Sequence, residues 1–193
     1  MSINTIHSSD ETDLSIRDGW INAARRVDSP NYNDRPDIDD VSLLVIHNIS
    51  LPPEQFGGGY VEQFFCNQLD CSQHEYFQQI SGMEVSSHLL ITREGELIQF
   101  VPFDKRAWHA GASCFESRHN CNDFSIGIEL EGADTIPFTQ QQYVLLSEVT
   151  QALLKQFPLM SRDRIVGHSD IAPGRKTDPG EAFDWQLYRK LLA

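Results

Sequence analysis

Val41-Ser42-Leu43-Leu44-Val45-Ile46-His47 is the stretch from which the fold can be read. The run from Val41 to Ile46 is short, mostly apolar and contains β-branched residues, so it reads as a buried central strand with His47 at its exit. Phe124 to Leu130 is a further strand, a mostly apolar run that Glu129 interrupts. Between them, Leu89-Leu90-Ile91 and Leu97-Ile98-Gln99-Phe100-Val101 flank the Glu94-Gly95 turn and predict a hairpin. Helical spacing over Gly59 to Leu69 places Val61, Phe64, Phe65 and Leu69 on one face, which makes these aromatics core residues. Tyr76, Phe77 and Ile80 suggest another short helical face. Thr139 and Gln142 form a capping box that opens the longest amphipathic helix, with Tyr143, Leu146, Val149, Leu153 and Phe157 inward and Pro158 as its stop. Asp184 caps a last helix built on Trp185, Tyr188, Leu191 and Leu192. Strands interleaved with helices, including one hairpin, predict a mixed α/β or α+β fold with helices packed on a central sheet.

The bulk properties agree with one domain. At 193 residues and 40% hydrophobic content the chain can bury a sizeable core. No repeat or low-complexity linker divides it. Met1 to Asp18 is expected to be a disordered acidic tail, and residues 19–193 a single domain entered through a loop-rich stretch, Asp28 to Asp40, with Pro30 and Pro36. Lys and Arg total 15 against 28 Asp and Glu, a net charge of −13, which disfavours nucleic acid and anionic membranes as partners. The first residues lack a basic segment followed by an apolar one, and no span approaches transmembrane length, so cytoplasmic residence is expected. There Cys66, Cys71, Cys114 and Cys121 are free thiols. Their spacings with His74 and His119 miss the usual zinc-finger patterns.

Gly167-His168-Ser169-Asp170-Ile171-Ala172-Pro173-Gly174-Arg175-Lys176-Thr177-Asp178-Pro179-Gly180 carries the chemistry. Its prolines and glycines preclude a continuous helix and suit a loop folding back on itself. His168 and Asp178, read with His47, offer two imidazoles and a carboxylate, a recurring ligand set for hydrolytic zinc that leaves a position open for water. On spacing alone any of the seven histidines could be an ordinary satisfied polar residue. Glu129 in an apolar strand is protonated, paired or functional, since an unpaired buried ion is costly.

Leu44–Ser50, Phe103–Gly111, Asn122–Gly132 and Gly167–Gly180, taken together and in this order, resemble the cytoplasmic 1,6-anhydro-N-acetylmuramyl-L-alanine amidases. These belong to the wider group of zinc amidases related to peptidoglycan recognition proteins and phage lysozyme-amidases. The resemblance runs from about Gly19 to the C-terminus. It implies a central mixed sheet with zinc on one face, one Zn²⁺ per chain on His47, His168 and Asp178, and an anhydromuropeptide substrate. It also implies that Glu129 moves the proton and that Lys176 steadies the oxyanion. Substrate contacts are expected from Asn48, Tyr76, His88, Trp108 and His109, and the chain is expected to act as a monomer. A satisfied core histidine remains the default for His88, and Arg175 and Asp170 read as loop-pinning residues.

The resemblance breaks at Glu84 and Asn120, where related chains carry arginines thought to hold stem-peptide carboxylates. Arg93, Arg106 or Arg118 could compensate. An amidase of intact peptidoglycan and a non-catalytic peptidoglycan-binding module are the alternative readings. The presence of all three ligands disfavours the second.

Overall fold

A computed structural model of the chain describes residues 12–193. Its centre is a six-stranded sheet of β1 (Arg25–Arg26), β2 (Leu43–Ile49), β3 (Leu89–Ile91), β4 (Leu97–Gln99), β5 (Ser125–Glu131) and β6 (Ile165–Gly167), in the order β6-β2-β5-β3-β4-β1. Only the β3/β4 hairpin is antiparallel, so the sheet is mixed, as expected. The helices are α1 (Tyr60–Phe65), α2 (Glu75–Gln79), α3 (Gln140–Gln156), α4 (His168–Ile171) and α5 (Trp185–Leu191).

The side-chain period of two along the parallel pair β2/β5 divides the molecule. Leu44 and Ile46 of β2, with Ile126, Ile128 and Leu130 of β5, enter the main core together with Tyr143, Leu146, Val149 and Leu153 of α3. On the opposite face lie Leu43 and Val45, then His47, and across from them Ser125, Gly127 and Glu129. The register pairs Glu129 directly with His47. Helix α3 starts where expected: the Thr139 hydroxyl accepts from Gln142 N–H and the Gln142 side chain accepts from Thr139 N–H. Gln142 is fully buried, and its amide also donates to the carbonyls of Ile91 and Glu131, tying α3 to two strands.

Several elements differ from the sequence expectation. Strand β2 runs past His47 to Ile49, so His47 lies inside the strand and inherits its rigidity. Strands β1 and β6 are too short to show a period. The loop-rich entry contains a strand, Tyr32–Asp34, paired with Lys105–Ala107. Residues 1–11 of the expected tail lie outside the described residues. Residues 12–18 are not free chain: Leu14 and Ile16 pack against the main core, and Ile16–Arg17 pairs with Trp20–Ile21. Two apolar side chains in an acidic segment are enough to bring it down onto the protein. Among the described residues no helix is long and apolar enough to cross a membrane.

Candidate metal centre and active-site cleft

Three segments converge at the ends of β2 and β6. Strand β2 presents His47, β6 leads into α4 with His168 at its start, and the following loop returns Asp178. The loop is closed by Ser169 N–H donating to the Asp178 carbonyl at 2.9 Å and by Asp170 Oδ2 accepting Gly167 N–H at 2.7 Å. Arg175 donates to the carbonyls of Ala110 and Ala112 and so pins the outer part.

His47 Nδ1 lies 3.0 Å from His168 Nδ1 and 2.9 Å from Asp178 Oδ2, and His168 Nδ1 lies 3.0 Å from the same oxygen. Three ligands on a tetrahedral ion at zinc bond lengths stand roughly 3.3 Å apart, so the triangle needs to open by only a few tenths of an ångström. The protonation pattern fits as well. His168 Nε2 faces the Ala110 carbonyl at 3.1 Å, and because a carbonyl only accepts, that nitrogen carries the proton. In the neutral ring the Nδ1 lone pair is then free for a metal. Burial lowers the His47 pKa to about 4 despite the opposing Asp178, with His168 and Lys176 adding to the shift, so its ring is neutral near pH 7. Burial pushes the Asp178 carboxyl up, but its close contacts with the His168 and His47 rings outweigh it and hold the group below the usual carboxylate range. Among the described residues this is the only group of three or more His, Cys, Asp or Glu side chains with metal-ligating geometry. All four cysteines are unpaired.

The triangle lies in a cleft of about 460 Å³ that is also lined by Asn48, Tyr76, Trp108, His109, Glu129, Asp134 and Lys176. Glu129 is buried, and its Oε2 has no hydrogen-bond partner. Burial and the neighbouring charge of Asp178 push its pKa well above the ordinary value, with Lys176 opposing. A carboxyl so tuned suits proton transfer. Lys176 is exposed on the returning loop, where its ammonium can reach an oxygen in the cleft.

The expected substrate residues divide. Tyr76 and Trp108 face the cleft, and Trp108 is steadied by its indole N–H donating to Asn33 at 2.8 Å. The Asn48 amide is committed to Asp134 Oδ1 at 2.7 Å, at the rim. His88 is a correction. It is fully buried and does not line the cleft; its Nδ1 accepts from Gly127 N–H and its Nε2–H donates to the Lys105 carbonyl. Standing just ahead of β3 and not in it, His88 serves the sheet, because its ring is consumed by backbone groups. His109 lines the cleft but spends both ring nitrogens on protein partners, His47 and Ser125. Asp134 was not singled out from the sequence, since a lone aspartate in a loop carries no pattern.

The model of the N-acetylmuramoyl-L-alanine amidase family matches residues 37–181, a span that holds every one of these cleft residues. The chain belongs to the N-acetylmuramoyl-L-alanine amidase family. It is 54% identical over 175 residues to the 1,6-anhydro-N-acetylmuramyl-L-alanine amidase AmpD of Salmonella typhimurium, covering 91% of this chain and 93% of that protein. A crystal structure of a selenomethionine AmpD derivative superposes with a TM-score of 0.89 at 52% identity, covering 92% of this chain and 99% of the other. AmpDh3 of Pseudomonas aeruginosa, in complex with an anhydromuramic pentapeptide, matches with a TM-score of 0.58 at 27% identity, over 81% of this chain and 61% of that one.

The amidase departs from the resemblance where expected, and the structure shows what stands there. Glu84 lines an annex of about 150 Å³ that shares Phe64, Ile80 and Met83 with the main cleft. None of the suggested substitutes reaches either space: Arg106 pairs with Asp123, Arg118 with Asp40, and Arg93 stacks over Phe56 and donates to the Pro137 carbonyl. Asn120 occupies a left-handed turn position and does not line the cleft.

Proposed function

We propose that this amidase hydrolyses the amide between the lactyl group of anhydro-N-acetylmuramic acid and L-alanine in cell-wall muropeptides, in peptidoglycan recycling, with one Zn²⁺ held by His47, His168 and Asp178. The observation that carries the reading is the convergence of two imidazole Nδ1 atoms and a carboxylate beside a buried, unpartnered carboxyl oxygen in one cleft. The AmpD relatives and the anhydromuramic pentapeptide held by AmpDh3 support the choice of substrate.

When bound, zinc supplies Lewis acidity, which brings a water molecule's pKa to about 7 and draws charge from a carbonyl. Glu129 takes the proton from the attacking water and passes it to the leaving alanine nitrogen. Its raised pKa lets one group serve both steps. Lys176 offers a cation to the oxygen that gains charge when the carbonyl carbon becomes tetrahedral. Trp108 and Tyr76 form apolar walls with polar tips, a pairing that suits a sugar and its peptide. The enzyme works in the cytoplasm, where the four unpaired cysteines stay reduced.

Incubation with a defined anhydromuropeptide and, separately, with intact sacculi distinguishes the rival readings. Mass spectrometry is expected to find free stem peptide chiefly from the soluble substrate. Release mainly from sacculi would assign the protein to wall degradation, and tight binding without release would make it a recognition module.

A further inference from the structure

We infer that the segment His109-Ala110 is the orienting frame for both histidine ligands, with His109 and Ser125 acting as positioning residues for His47 and not as substrate contacts. This rests on the proposed metal assignment. With His47 Nδ1 reserved for the metal, its neutral ring carries the proton on Nε2, which lies 2.9 Å from His109 Nδ1. His109 therefore accepts there and donates from Nε2 to Ser125 Oγ at 3.1 Å. One residue further on, the Ala110 carbonyl accepts the Nε2–H of His168. Adjacent residues thus set the tautomer of both ligands, one by a side chain and the other by the backbone. Such outer partners fix ring orientation and raise ligand basicity.

Independent packing supports the same frame. The amide oxygen of the buried Asn122 accepts from both His109 N–H, at 3.2 Å, and Ala110 N–H, at 2.8 Å. The His109 ring lies directly on Gly127, where a Cβ would come within 2.5 Å of His109 Cγ and 2.6 Å of Nδ1. That strand glycine is clamped on both sides: its carbonyl accepts from Ser87 Oγ at 2.7 Å and its N–H donates to His88 Nδ1. One face of β5 accordingly reads as an assembly: Ser125 anchors the His109 ring, Gly127 gives it room, and Glu129 faces the ligand it steadies. The buried His88 enters as the clamp on the floor of that assembly.

The test measures zinc dissociation constants by competition with a chromogenic chelator, alongside ¹⁵N shifts of the His47 imidazole. His109→Leu, which removes the acceptor, is expected to weaken zinc binding about 10- to 100-fold and to release the His47 ring from its single tautomer. His109→Asn, whose side-chain oxygen falls near the position of Nδ1, is expected to restore most of the affinity. Ser125→Ala, a smaller change, keeps the question open to test if His109→Leu does not fold, and it is expected to weaken zinc in the same sense. A folded His109→Leu protein that binds zinc as tightly as the parent, or a His109→Asn protein no better than His109→Leu, overturns the inference. A parent that binds no zinc overturns the metal assignment instead, so the two failures are distinguishable.

Discussion

The two faces of the β2/β5 pair share a backbone, a register and nearly complete burial, yet they are built to opposite rules. Under α3 the contacts of Leu44, Ile46, Ile126, Ile128 and Leu130 are apolar, and the buried amide of Gln142 has strand carbonyls to donate to. On the other face the same strands present His47 and Glu129 to the cleft, with a carboxyl oxygen free and the His47 Nδ1 turned to Asp178. The contrast sharpens within a single strand. Glu131, two residues from Glu129 and equally buried, accepts from Gly57 N–H and Arg93 N–H, whereas Glu129 Oε2 accepts from nothing. Burial alone therefore does not mark function. Between these two glutamates the difference is the oxygen that the fold leaves without a partner.

Removing a ligand should break this contrast most completely. His47→Ala, His168→Ala or Asp178→Ala is expected to abolish turnover and sharply lower zinc content, as read by metal analysis beside a peptide-release assay. Stoichiometric zinc with normal turnover in Asp178→Ala would contradict the assignment.

Glu129→Gln separates chemistry from metal holding. Zinc should remain while turnover falls by roughly 100- to 10,000-fold, the range for a lost general acid–base. The same substitution should stabilise the metal-free protein at neutral pH. For an acid whose folded pKa is raised, the folded state binds more protons, so stability falls as pH rises from the ordinary value near 4.5 towards the folded one. Replacing the acid with an amide removes that loss, and the advantage should vanish at more acidic pH. Thermal melts at both pH values check it; a variant less stable than the parent at neutral pH would show that the carboxylate is satisfied after all.

Lys176→Ala should keep zinc and stability but slow turnover about 100-fold, comparable with removal of one oxyanion donor. Turnover at the parental rate would remove it from the mechanism. On the helix face, Leu146→Ala should cost about 2–5 kcal/mol of stability by opening a cavity, with turnover per folded molecule unchanged. Denaturant titration beside activity tests whether the two faces are separable. The smallest effect is expected at Glu84→Arg, which should lower KM for a diaminopimelate-containing tripeptide substrate more than it changes kcat, because the added attraction acts equally on ground and transition states. An unchanged KM would show that the annex does not receive the stem peptide.

Much of this could be read before any coordinates. Val41 to Ile46 and Phe124 to Leu130 announced themselves as strands because burial on both faces leaves a continuous apolar run, and Thr139 with Gln142 marked a helix start because capping is local chemistry. Strands of two or three residues, such as Arg25–Arg26 and Ile165–Gly167, carry no such signal; tertiary pairing alone defines them. The chemistry-bearing residues could be named from their types and from the resemblance, but not their directions. His88 and His109 look alike in sequence, and only the register of β5 decides that Gly127 N–H claims the ring of one while its missing Cβ seats the ring of the other.

The central claim, metal-dependent cleavage of an anhydromuropeptide amide, is tested most directly by following release of the stem peptide by mass spectrometry in the protein as purified, after stripping with a chelator, and after zinc is restored. The account predicts release, loss of release and recovery in that order. Undiminished release by the stripped protein, or none by the zinc-loaded one, would contradict it.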